Sequence, residues 1–208
     1  MSNAPVLQPV RRRGRPPRFD RAAALDAATG LFWRHGYEGT SIAMLTEAMG
    51  FTPPTLYAAF GCKEALYREA LDRYGRRTST KQPAASDTSV FSMVERFLRN
   101  AAREFTRGDQ PRGCMISTGS LRCAADQHAA VDAAAAHRAA AFDGFIARIE
   151  EAKRIGEVPT HTDAHALARF YAAVAQGMSV QAIDGADAAA LDAMVDIALA
   201  AWPGRIRE

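Results

Sequence analysis

Cysteine is scarce in this chain: Cys62, Cys114 and Cys123 are the only three in 208 residues, an odd number without C-x-x-C spacing. That pattern excludes a disulfide scaffold and a structural zinc site built on cysteine pairs. No run approaches the roughly eighteen uncharged apolar residues that a membrane span needs. The amino terminus is basic but lacks the apolar stretch of a secretory signal, so no membrane partner is expected and the cytoplasm is the expected location. No segment alternates with the period of a strand, and no fixed-period repeat occurs. A Gly-x-Ser-x-Gly elbow and a phosphate-cradling glycine loop are also missing, which leaves Ser, His and Asp without a nucleophilic arrangement. His161 and His165 flank Asp163, but Pro159 precedes them and Thr162 or Asp163 reads as a helix cap, so the two imidazoles are not a pair on one helical face. No metal, cofactor or enzyme chemistry is expected.

Helical patterning, by contrast, is continuous from Asp20. That residue caps a first helix of about fifteen residues with Leu25, Ala28, Leu31 and Phe32 on one apolar face, and Gly36 stops it. Ser41 then caps a short helix with Ile42, Leu45 and Ala48 at core spacing, and Gly50 supplies a left-handed exit. After Phe51, Thr52 is a second cap. Pro53 and Pro54 take the first helical positions, where a missing N–H has no intrahelical partner to lose. Leu56 and Phe60, four apart, must face the core, leaving Thr55, Tyr57 and Ala59 for other faces. Two short helices around a glycine turn, the second with one free face, are the layout of a helix-turn-helix DNA reader.

Charge supports that layout. The net charge of +3 divides into twelve Lys+Arg against seven Asp+Glu over residues 1 to 78, or 12 − 7 = +5, and fourteen against sixteen over the rest, or 14 − 16 = −2. The positive half is the half with the reading motif, as phosphate neutralisation requires. Arg11, Arg12, Arg13, Arg15 and Arg18 crowd a Gly- and Pro-containing arm over residues 1–18 that is expected to be disordered alone. Two readings of the arm stand: a solvated tail, or an AT-hook-like segment laying arginines in a minor groove.

From Asp20 to the helix beginning at Lys63, the chain resembles the amino-terminal domain of TetR (tetracycline-repressor) family transcription regulators. The residues that carry the resemblance are Gly36-Tyr37, Thr40-Ser41, Ala48-x-Gly50, Thr55-Leu56-Tyr57, Phe60 and Lys63-Glu64-Ala65-Leu66. It implies that Ser41, Thr52, Tyr57 and Lys63 meet phosphates and that Pro53 and Thr55 approach bases. Ala58 and Ala59 depart from the bulkier side chains common in the family, and point to apolar contact with thymine methyls. Cys62 stands where a capping Ser is usual, which predicts a weaker start to the fourth helix.

Helix four is expected to run to about Arg77, followed by a polar linker, Thr78 to Ser89. Phe91, Val94, Phe97, Leu98, Ala101 and Phe105 mark a helix ending at Gly108, a shorter one follows from Gly113 to about Ala125, and a long alanine-rich one spans Ala129 to about Ile155. The helices at 164–183 and 187–202 are apolar enough to serve as core or as half of an intersubunit four-helix bundle, and the resemblance implies that homodimer. Phe170, Val174, Met194, Val195 and Trp202 are its candidate interface residues. Phe97, Phe105, Met115, Phe142, Phe145, Tyr171 and Met178 are core by default and, in a sensor, would line a ligand cavity. Arg112-Gly113-Cys114 resembles a helix start in a subset of the family. A thiol beside a cation at a helix amino terminus favours the reactive thiolate, whereas a packed, inert Cys114 is the plain alternative.

These readings converge on an all-α chain of about nine helices: arm 1–18, a three-helix helix-turn-helix domain over 19–78, and a helical ligand-binding and dimerisation domain over 79–208. The expected function is a one-component repressor that binds a palindromic operator in double-stranded DNA as a homodimer and is released by a small-molecule effector. Oxidant or electrophile sensing through Cys114 is one alternative, and an architectural DNA-binding protein without an effector is another. A helical enzyme is the alternative outside that class.

Overall fold

The computed structural model describes residues 20–78, 89–119 and 128–203, and over these the chain is helical without strands. The arginines of the arm, Cys123 and most of the expected linker lie outside the described residues. Helix α1 (Arg21–Gly39) starts on Asp20, whose carboxylate accepts from Ala22 and Ala23 N–H, and breaks at Gly36, φ 72°. Short helices α2 (Ile42–Met49) and α3 (Pro53–Phe60) follow, then α4 (Lys63–Thr78). Beyond it come α5 (Val90–Phe105), the single turn α6 (Met115–Thr118), α7 (His128–Arg154), α8 (Ala164–Ile183) and α9 (Ala188–Ala200). Helix α5 ends at Phe105, three residues before the expected Gly108.

Two buried clusters organise these helices. The first gathers Leu25, Phe32, Trp33 and Tyr37 of α1 with Leu45, Leu56, Phe60, Leu66, Tyr67 and Tyr74, and takes in Met115, Ala130 and Ala134 from later in the chain. The second joins α5, α8 and α9 with Ile149 and Ala152 of α7, around Leu98, Tyr171, Met178, Leu191, Val195 and Trp202. Cys114 packs against both. Helix α6 touches α1, α4, α7 and α8, so it is the seam between the clusters.

Several expected placements change in three dimensions. Ala48 is exposed, and Thr46 is buried in its stead, its hydroxyl donating to the Ile42 and Ala43 carbonyls so that its polar group is satisfied inside the helix. Ala59 packs on the first cluster, while Ala58 is exposed. Met115, expected beside the second-cluster aromatics, is fully buried in the first cluster. Val195 and Trp202, expected at a subunit interface, are 0% and 4% exposed within the protomer, with Trp202 against Phe91 and Tyr171 at 5.6 Å. Their burial is complete without a second chain.

Candidate nucleic-acid interface

The reading motif forms as its capping residues dictate. Ser41 Oγ accepts from Met44 N–H at 3.1 Å, Gly50 takes the left-handed conformation (φ 65°), and Thr52 Oγ1 accepts from Thr55 N–H while sharing a 2.9 Å hydroxyl contact with Thr55. Pro53 and Pro54 occupy the first turn of α3. Leu56 and Phe60 anchor this helix in the first cluster. The opposite side is free: Pro53, Pro54 and Ala58 are exposed, Thr55 is half-buried, and Tyr57 is 46% exposed, a large aromatic left facing solvent. Ser41 and Thr52 are exposed too.

At the next corner, Gly61 (φ 80°) turns the chain into α4. Cys62 does cap this helix, its sulfur accepting from Ala65 N–H at 3.4 Å. Lys63 then lies half-buried with its ammonium 4.3 Å above the Tyr37 ring, a cation–π placement. Beside it Glu64 accepts the Tyr37 hydroxyl at 2.7 Å, and that bond is the chief reason its carboxyl lies below the usual range. Thus Thr52, Pro53, Thr55 and Tyr57 come together on α3, and Ser41 and Lys63 stand at the starts of the helices before and after it.

The sensing candidates are placed differently. Phe97 and Phe145 meet edge to face at 5.2 Å and, with Phe142, are half-buried on the second cluster. Phe105, Tyr171 and Met178 are buried core. The Tyr171 hydroxyl donates to the Ala198 carbonyl at 3.0 Å, and burial pushes this phenol up to about 12. An open cleft of about 500 Å³ lies away from these residues, between α1, the α5–α6 loop and the end of α8, lined by Trp33, Arg34, Gly108 to Arg112 and Ile183. Nothing in the spacing of those residues pointed to it, because it forms only where the two clusters meet.

Cys114 precedes α6 but makes no side-chain cap. Its N–H donates to Ser179 Oγ at 2.8 Å, and the Arg112 guanidinium is spent on the Ala182 and Ala186 carbonyls of α8. The neighbour of the thiol is the phenol of Tyr74, which burial raises far above its ordinary value, with the Cys114 sulfur a further cause.

The outer faces of α8 and α9 carry much of the remaining apolar surface. Phe170 (43% exposed) and Val180 stand out on α8 and Ile197, 75% exposed, on α9, while Ile183 stands at the cleft and Ile155 follows α7. Val174 and Met194 are half-buried beside them. Ile197 escaped notice in the sequence although Ala190, Ala193, Met194 and Ile197 share one helical face.

Known proteins match this arrangement closely. The family model described as bacterial regulatory proteins, tetR family, matches residues 24–70. The transcriptional repressor ComR of Escherichia coli (strain K12) is 37% identical over 198 residues, 94% of each chain. The chain belongs to the TetR family. BdcR, a repressor of the same organism, is 36% identical over 110 residues, 51% of this chain and 55% of BdcR. Among solved structures, a cysteine-substituted form of the TetR family regulator CifR, in complex with 26-base-pair operator DNA, superposes with TM-score 0.84 at 41% identity, covering 91% of this chain and all of that one. As a TetR-family member the chain is a transcription regulator, and the helical-enzyme alternative falls.

Proposed function

We propose that this TetR-family chain represses transcription by binding a palindromic operator in double-stranded DNA as a homodimer. The observation that carries the proposal is the free face of α3 with Tyr57 exposed, and the half-buried Lys63 stands at the adjoining helix start. Ser41, Thr52, Tyr57 and Lys63 are assigned to phosphates, and Pro53 and Thr55 to base edges. Arg11, Arg12, Arg13, Arg15 and Arg18 are assigned to supplementary groove contacts. CifR, alike in fold and sequence, is bound to its operator in the solved complex. Tyr57→Ala and Lys63→Ala should each weaken specific and random-sequence duplexes alike, by roughly tenfold, since losing a hydrogen bond to a charged phosphate costs about 1.5 kcal/mol. Fluorescence anisotropy at fixed salt is the measurement. Unchanged affinity in both folded variants would defeat the assignment.

The division of labour we infer follows the two clusters: residues 19–78 read DNA, residues 79–208 sense and dimerise, and α6 connects them. A small-molecule effector is proposed to enter between α5, α7 and α8, parting Phe97, Phe142 and Phe145, and to favour the state with the wrong spacing of reading heads. Mass spectrometry of protein purified without added ligand tests for a retained molecule. A second reading is favoured by the position of Cys114 against both clusters: modification of its thiol would wedge the seam. Release from DNA by an alkylating agent that is abolished in Cys114→Ser supports this reading, and release that persists in the variant rejects it.

A further inference from the structure

Tyr37 of α1 makes three contacts, one to α6 and two to the start of α4. Its backbone N–H donates to the Gly119 carbonyl at the end of α6 (2.8 Å), its ring underlies the Lys63 ammonium (4.3 Å), and its hydroxyl donates to Glu64 Oε1 (2.7 Å). The ring is 2% exposed, with Tyr67 edge-on at 5.1 Å and Phe32 stacked at 6.3 Å, so the phenol has no freedom to swing alone. Gly36 makes the approach to α6 possible. With φ at 72°, a Cβ there would lie 3.2 Å from the Gly119 carbonyl oxygen, so a larger residue would have to push α6 away.

The chemistry at the start of α4 needs such a support. Glu64 is adjacent to Lys63, and a loose carboxylate there would both repel a phosphate and compete for the ammonium. The Tyr37 hydroxyl ties that carboxylate down, while the face of the same ring carries the ammonium.

We propose that Tyr37 is a positioning residue for DNA binding: it fixes the Glu64 carboxylate on its hydroxyl and the Lys63 ammonium on its ring, and α6 fixes its own place through the Gly119 carbonyl. The coupling thus runs from the seam directly into α1 and the first turn of α4. It rests on the assignment of Lys63 to a phosphate.

Binding of a fluorescein-labelled random-sequence duplex by the full chain, followed across a salt series, tests the proposal. Tyr37→Phe keeps the ring and the backbone donor but removes the strongest bond on the Glu64 carboxylate, leaving its weaker ones to its own backbone and Cys62. It should lower affinity by about fivefold, the upper range for one exposed charge pair. It should also flatten the plot of log affinity against log salt by up to about 0.9, one phosphate contact. In the Glu64→Gln background the same Tyr37→Phe change should cost nothing, an outcome that a merely structural tyrosine would not give. Gly119→Ala probes the α6 arm, because its Cβ would meet the Met115 carbonyl oxygen at 2.6 Å and the Tyr67 hydroxyl at 3.0 Å and so displace the Gly119 carbonyl. Its loss of affinity should not add to that of Tyr37→Phe. If Lys63→Ala weakens binding and Tyr37→Phe does not, the positioning role is overturned while the DNA assignment stands. Additive losses in the double variant overturn the link to α6, and a parent chain with no salt-dependent binding overturns both assignments together.

Discussion

Helix α9 carries two apolar faces with opposite fates. Val195 is completely buried against α5 and α8, whereas Ile197, two residues on, is 75% exposed at the centre of a face formed with Ala190, Ala193 and Met194. The first face holds the protomer together. The second is largely left to solvent in the protomer, with only Met194 partly packed on the second cluster, and in the proposed dimer it meets its symmetry mate together with Phe170 and Val174. Asp192 and Asp196, paired with Arg99, form an acidic strip beside these two apolar faces, and the hydrophobicity of a residue alone does not say which face serves which core.

That contrast can be broken most severely at Val195. Val195→Glu places an unpaired carboxylate in the second cluster and should cost roughly 4 kcal/mol or more, a large part of the stability of an ordinary domain. Circular dichroism should show an unfolded or strongly destabilised chain. A folded monomer would place Val195 at an interface after all. Ile197→Glu should do the reverse: protomer stability stays within about 0.5 kcal/mol in denaturant titration, but light scattering should show dissociation, and operator affinity should fall by roughly a hundredfold or more as two-site binding is lost. A dimeric Ile197→Glu variant would contradict the outer-face assignment.

The reading motif was far more legible than this bundle because its signals are local. The Ser41 and Thr52 caps, the Gly36 and Gly50 turns and the prolines of α3 each act within one helical turn, so their effect is written within four residues of sequence. The exposure of Tyr57 followed from Leu56 and Phe60 in the same way. Ala48 and Ala59 were misplaced because alanine and a self-bonded threonine are interchangeable at a helix edge, and packing of neighbouring helices decides between them. Met115 could not have been assigned to the first cluster from its own segment, since α6 is a single turn whose position is set by contacts with four other helices. Val195 and Trp202 fit an interface pattern as well as a core pattern. Only the packed partners Phe91 and Tyr171 separate the two for Trp202. The coupling through Tyr37 is likewise invisible in sequence, for Gly119 lies far along the chain from it.

The smallest expected effect lies within the legible region. Ser41→Ala removes the hydroxyl that accepts from Met44 N–H and should lower stability by about 1 kcal/mol, a shift of a few degrees in melting temperature. A larger loss of DNA affinity than of stability would identify a phosphate contact as well as a cap. Equal melting temperatures would mean that the proposed cap contributes nothing.

The central claim is that two copies of this chain present two α3 faces to one palindromic duplex. Titrating the full chain into operator DNA selected from a random pool, at concentrations far above the dissociation constant, measures this directly. A breakpoint at an even number of chains per duplex, with half-site centres about 34–36 Å apart along the DNA or a multiple of that spacing, is the predicted result. A breakpoint at one chain per duplex, or selected sequences without two-fold symmetry, would contradict it.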